Sequence, residues 1–132
     1  MNIKGVLWGI GAVLPVMEAQ GSGQIINLGS IGALSVVPTG AVYCASKFAV
    51  RAISDGLRQE SSKIRVTCVN PGVVESELAS TITHVETMKA MDAYRSVALQ
   101  PADIARAVRH IIESPESVDT TEITIRPTAS AN

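Results

Sequence analysis

Tyr43 and Lys47 stand four residues apart in AVYCASKFAVRAISDGLRQE, a run whose length and apolar content predict a helix. On a helix that spacing puts a phenol and an ammonium on one face. A free phenol titrates at about 10 and is a poor acid or base at neutral pH. A neighbouring ammonium stabilises the phenolate and brings proton exchange within reach. Ser30 precedes Tyr43 by thirteen residues, and its hydroxyl can hold a substrate oxygen. The set suits one reaction, proton transfer to or from a carbonyl or alcohol oxygen while hydride moves at the adjoining carbon. The bland alternative is a packed tyrosine beside a snorkelling lysine. Ser30 ahead of the pair and Asn70-Pro71-Gly72 behind it, all in register, favour chemistry over packing.

The pattern of apolar runs and turn residues indicates which elements position these groups. Residues 2–20 have helical length and apolar residues on most faces, as expected of a helix packed on both sides. The glycines of GSG, residues 21–23, stop it. QIINLGS, residues 24–30, is an apolar run without polar alternation, which predicts a strand covered on both faces. After a Gly- and Pro-punctuated loop comes the helix over 41–61, then a second buried strand, IRVTCVNPG, over 64–72. Residues 73–98 are polar and mixed and predict one or two short helices. Pro101 and Asp103 open a helix over PADIARAVRHIIESP, and TEITIR, residues 121–126, reads as a closing strand. Alternating helices and strands imply an α/β fold with a parallel sheet, whose ligands bind at the carboxyl ends of the strands. Ser30 and Pro71-Gly72 fall at two such ends. Residues 1–132 read as one unit without repeats or a linker, about one of the two βαβαβ halves of a doubly wound sheet.

Composition narrows the partners. Of the 132 residues, 46% are hydrophobic and 17% charged, a core-rich balance unlike that of disordered chains. The formal net charge of −1 offers no electrostatic footprint for nucleic acid or an anionic membrane. One Trp, two Tyr and one Phe make base-stacking platforms an unpromising reading. The apolar start, MNIKGVLWGIGAVLPVM, resembles an export signal, but no small-residue cleavage site follows and Pro15, Glu18 and Gln20 interrupt it. Cys44 and Cys68 lack metal-ligand spacing and read as reduced thiols. The expectation is a cytoplasmic protein with a small-molecule substrate, no nucleic acid and no membrane partner.

LGSIGALSVVPTGAVYCASK resembles the active-site segment of the short-chain dehydrogenase/reductase family, with its Y-x-x-x-K motif and upstream serine. NPG after a buried strand and MNIKGVL at the chain start resemble two further hallmarks of that family in the same order. The resemblance implies a partial Rossmann-like fold and an NAD(P)-dependent oxidoreductase that interconverts an alcohol or hydroxy acid and a carbonyl, with NADP ahead of NAD. It implies Tyr43 as general acid/base, Lys47 stabilising its phenolate and binding the nicotinamide ribose, and Ser30 orienting the substrate carbonyl. It also implies that Asn2 holds a water joining Lys47 to solvent. Pro71, Gly72 and Val74 would line the nicotinamide pocket, with Ser76 where the family usually has threonine, and 73–98 would form the substrate lid. EITIRPTA resembles the branch acting on hydroxy acids and small carbonyl compounds.

The family's glycine-rich turn, T-G-x-x-x-G-x-G, has no counterpart in this sequence. The chain is therefore expected to be the C-terminal catalytic part of the fold, without the cofactor-binding half that carries that turn. The resemblance further implies a homodimer or tetramer through helices 2–20 and 41–61. A second functional reading follows, in which the chain is a catalytically silent dimerisation or interaction module.

Overall fold

The computed structural model of the chain describes residues 2–75 and 96–130. Among them the order is α1 (Asn2–Gln20), β1 (Gly23–Leu28), a single 3₁₀ turn (Ile31–Ala33), α2 (Ala41–Glu60), β2 (Ile64–Pro71), α3 (Pro101–Glu113) and β3 (Glu122–Ile125). The three strands form a parallel sheet in the order β1-β2-β3, so the α/β reading is observed, as is each element expected outside 73–98, with ends shifted by at most two residues. The lid expected over 73–98 lies outside the described residues except at its margins.

Side-chain alternation divides the strands between two faces. On one face Ile25, Ile64 and Val66 join Leu57 of α2 in a buried cluster, and Ile10, Leu14 and Met17 of α1 pack against it. On the other face Val69 packs with Ile104 and Ile111 of α3, flanked by Ile26, Ile123 and Ile125. The sheet is thus a thin layer between α1/α2 and α3, as burial on both faces of a parallel sheet requires.

The helix ends follow local chemistry. α3 begins at a reciprocal capping box, in which the Gln100 side chain accepts from the backbone of Asp103 while Asp103 accepts from the Gln100 N–H, with Pro101 at the first helical position. α1 ends where Gly21 takes up a positive φ of 73°, a left-handed stop that glycine adopts without strain.

α1 departs from its expectation. A helix packed on both sides was anticipated, yet none of its residues is buried, and Trp8 is 69% exposed with Leu7 and Val16 also on the surface. One flank meets the sheet, and among the described residues nothing covers the other. β1 is likewise half-covered: its last residue, Leu28, is 58% exposed.

Ile111, 1% exposed, bridges α3 to the sheet. Ile111→Ala is expected to lower the free energy of unfolding by about 2–5 kcal/mol, read as a reduced midpoint in urea denaturation. A loss under about 1 kcal/mol, in the range of surface substitutions, would show that α3 is not cooperatively docked.

Candidate active site

Two strand ends and one helix supply the site. β1 ends at Leu28 and the chain turns at Gly29-Ser30 into the 3₁₀ turn. Ser30 caps that turn, its Oγ accepting from the Gly32 N–H at 3.1 Å, and it is buried. Capping occupies oxygen lone-pair capacity and leaves the O–H free to donate. Gly32 permits the next approach: a Cβ placed on it would come 3.1 Å from Tyr43 Cε1 and 3.5 Å from Ser30 Oγ. The phenol ring and the serine hydroxyl therefore border the same space, the one a Cβ on Gly32 would fill. Tyr43 is 45% exposed, so the ring is seated on the turn but open to a ligand.

Lys47 follows one helical turn later. Its Nζ lies 5.6 Å from the centroid of the Tyr43 ring, within cation–π range. Burial lowers the Lys47 ammonium below the ordinary lysine value, opposed in part by the charge that Cys68 can carry; desolvation disfavours the charged form. Asn2, at the start of α1, reaches α2 as well: its Nδ2 donates to Ser46 Oγ at 3.4 Å, and Ser46 Oγ donates to the Tyr43 carbonyl at 2.7 Å. Asn2 is thereby placed against the residue before Lys47.

The second strand end carries Pro71, Gly72 and Val74. Pro71 and Val74, with Leu28, Ile104, Val108 and Ile112, line an open apolar groove of about 670 Å³ between the sheet and α3. Gly72 donates to the Ile125 carbonyl at 2.7 Å, and a Cβ there would meet Arg126 Cα and Pro127 Cδ at 3.3 Å, so the chain leaving β3 passes close over it. Val74 forms a parallel bridge with Leu99. Ser76 lies outside the described residues. Among the described residues no group of three His, Cys, Asp or Glu side chains could hold a metal ion, and no helix is long and apolar enough to cross a membrane.

Sequence reasoning missed a polar row beneath this site. Asn27, Cys68 and Glu122 are register partners across the three strands and share the face toward α2. Asn27 Nδ2 donates to Ser54 Oγ at 2.9 Å, Asn70 Nδ2 to Glu122 Oε1 at 2.7 Å, and Arg51 Nε pairs with the same Glu122 oxygen at 2.9 Å. The available signal was the placement of Asn27, Asn70 and Glu122 in otherwise apolar strands, which requires partners on a covering helix. A carbon-13 titration of the Lys47 ε-carbon is expected to show its proton leaving below the usual lysine value of about 10.4. A midpoint at or above that value would contradict the burial of the ammonium.

Comparison with known proteins places this geometry. The family model for short chain dehydrogenases matches residues 1–87. An uncharacterized oxidoreductase of Staphylococcus saprophyticus is 47% identical over 135 residues, which cover 99% of this chain and 55% of that protein. A serine dehydrogenase solved in complex with NADP+ superposes with a TM-score of 0.84 at 34% identity, over 94% of this chain and 52% of that one. The serine dehydrogenase of Escherichia coli gives a TM-score of 0.76 at 31% identity, over 94% and 49%. This chain spans about half the length of the curated relatives it matches. The chain belongs to the short chain dehydrogenase family.

Proposed function

We propose that the chain carries the proton-transfer side of an NAD(P)-dependent oxidoreductase that interconverts a small alcohol or hydroxy acid and its carbonyl. The observation that supports it most is the convergence of the Tyr43 ring and the Ser30 hydroxyl on the space a Cβ at Gly32 would take, with the Lys47 ammonium beside the ring. The names of the structural neighbours, serine dehydrogenases, one of them complexed with NADP+, support a hydroxy acid or hydroxy amino acid as substrate and NADP as the cofactor.

In the oxidation direction the Ser30 O–H donates to the substrate oxygen and holds it beside Tyr43. Tyr43, as phenolate, takes the hydroxyl proton, and the substrate carbon loses hydride as the C=O bond forms. In the reverse direction Tyr43 returns the proton to the oxygen. Lys47 stabilises the phenolate, and Asn2, held on Ser46 beside it, positions a water between Lys47 and solvent. NAD(P), when bound, accepts or supplies the hydride. Pro71 and Val74, which face an apolar groove, would hold one side of a nicotinamide ring, with the Gly72 backbone beside them. Ser76 would join that set in this reading, and Lys47 would also bind the ribose.

The second reading, a catalytically silent interaction module, is not favoured by the comparisons, whose relatives are named as oxidoreductases and dehydrogenases. Self-association is compatible with catalysis, and we place it on the exposed apolar flank of α1 around Trp8 and Val16 together with α2. Light scattering is then expected to give a dimer or tetramer, and Trp8→Glu to shift it toward monomer. A monomer before substitution would remove this part of the reading.

The reaction is tested by following NADPH formation from NADP+ and L-serine. The assay is run on the chain and on the chain joined to the remaining part of the staphylococcal relative. Tyr43→Phe is expected to lower turnover by about 10²–10⁴-fold, the range of a lost general acid/base. Full activity in that variant would sink the assignment.

A further inference from the structure

Lys47 and Arg51 are four residues apart on α2, so Tyr43, Lys47 and Arg51 run along one stripe of the helix. The first two face the site described above, and the third reaches β3. Arg51 Nε contacts Glu122 Oε1 at 2.9 Å, and the same oxygen accepts from Asn70 Nδ2 at 2.7 Å. The other end of the Asn70 amide, Oδ1, accepts from the Cys68 thiol at 3.4 Å. Asn70 is 0% exposed. A Cβ placed on Gly29 would come 2.6 Å from Asn70 Oδ1 and 3.0 Å from Cys68 Sγ. Only a residue without a side chain lets Asn70 lie so close to this turn.

That places one side chain between the two strand ends. Gly29 immediately precedes Ser30, and Asn70 immediately precedes Pro71-Gly72. Gly29 is also tied to β2 directly, its N–H donating to the Val69 carbonyl at 2.6 Å. An ionised carboxylate is acceptor-only, so Glu122 can meet only the NH₂ end of Asn70. It thereby dictates which way round the amide sits, oxygen toward Gly29 and Cys68. The thiol is a suitable donor there, because burial, reinforced by the Glu122 charge, pushes Cys68 up and keeps its proton on sulfur. Arg51 neutralises the carboxylate and anchors it to the helix that carries Tyr43 and Lys47.

We propose that Arg51 and Glu122 are positioning residues: acting through Asn70, they fix the Ser30 turn and the Pro71-Gly72 turn relative to each other and to α2. The proposal rests on the reading of Ser30, Pro71 and Gly72 as site residues. It assigns a role to charged side chains that neither resemblance nor motif spacing singles out. Disturbing the network at Glu122, in the strand farthest from Ser30 in the sheet, should be felt at Ser30.

The test compares Glu122→Ala, Glu122→Gln and Arg51→Lys in the intact chain by proton–nitrogen NMR and in the NADP+/L-serine assay. In Glu122→Ala the side-chain amide hydrogens of Asn70 are expected to exchange at least about tenfold faster, and the backbone signals of Ser30 and Gly72 to move together. Glu122→Gln retains an oxygen acceptor and should fall between, and Arg51→Lys, which keeps the charge, should lie nearest the unsubstituted chain. If Glu122→Ala does not fold, the two conservative variants carry the comparison in the same order. Turnover per folded molecule should fall in that order with little change in KM, whereas a merely stabilising pair would lower the urea midpoint and leave turnover unchanged. Unmoved Ser30 and Gly72 signals overturn the proposal, as does undiminished turnover in folded Glu122 variants. If the unsubstituted chain and its fusion turn over nothing, the reading of the reaction fails instead, and the movement or stillness of the Ser30 and Gly72 signals decides the coupling by itself.

Discussion

The carboxyl ends of β1 and β2 are held together at Gly29, and the rest of the site depends on that contact. Its N–H reaches the Val69 carbonyl at 2.6 Å, extending the parallel register of Gly23↔Ile64 through Leu28↔Val69 by one more step. The space a side chain would fill is taken by Asn70 and Cys68. From this point the chain turns to Ser30 on one side and continues to Pro71-Gly72 on the other. Any larger residue at 29 would separate the two turns, because neither the buried amide nor the backbone beside it has room to give.

Around that contact the face toward α2 divides into two zones. Toward the amino ends of the strands it is apolar, with Ile25, Ile64 and Val66 against Leu57 and the sheet-facing residues of α1. Toward the carboxyl ends of β1 and β2 it becomes polar, with Asn27, Cys68, Asn70 and, from the start of β3, Glu122 facing Ser54 and Arg51. Buried polar groups destabilise a core unless they are partnered. Among the described residues every buried side-chain nitrogen and oxygen has a partner. The polar zone is thus a directional tie: apolar packing fixes how far α2 stands from the sheet, and hydrogen bonds fix its register along it. That register decides where Tyr43 and Lys47 sit relative to Ser30.

The parts of this design legible from residue order were those encoded locally. Apolar runs and Gly or Pro punctuation located α1, β1, α2, β2, α3 and β3 to within a residue or two, since length and periodicity are local properties. The i, i+4 spacing of Tyr43 and Lys47 likewise placed them on one face. What escaped was the partnering of Asn70, Arg51 and Glu122, which are separated by up to 71 residues in the chain. The expectation of burial on both sides of α1 was also wrong for the chain by itself. Apolar composition states that a surface favours cover but not whether the cover belongs to the same chain.

The sequence by itself determined the class of fold, the order of its elements and the chemical character of the candidate site, because hydrophobic period, turn residues and functional-group types are written residue by residue. Only the tertiary structure decided which side chains converge. The closeness of Tyr43 to Ser30 depends on the absence of a Cβ at Gly32, and the approach of Asn70 to the Ser30 turn on its absence at Gly29. The pairing of Arg51 with Glu122 depends on how α2 lies across three strands in register. Such distances are set by packing among segments remote in the chain, and no local spacing rule contains them.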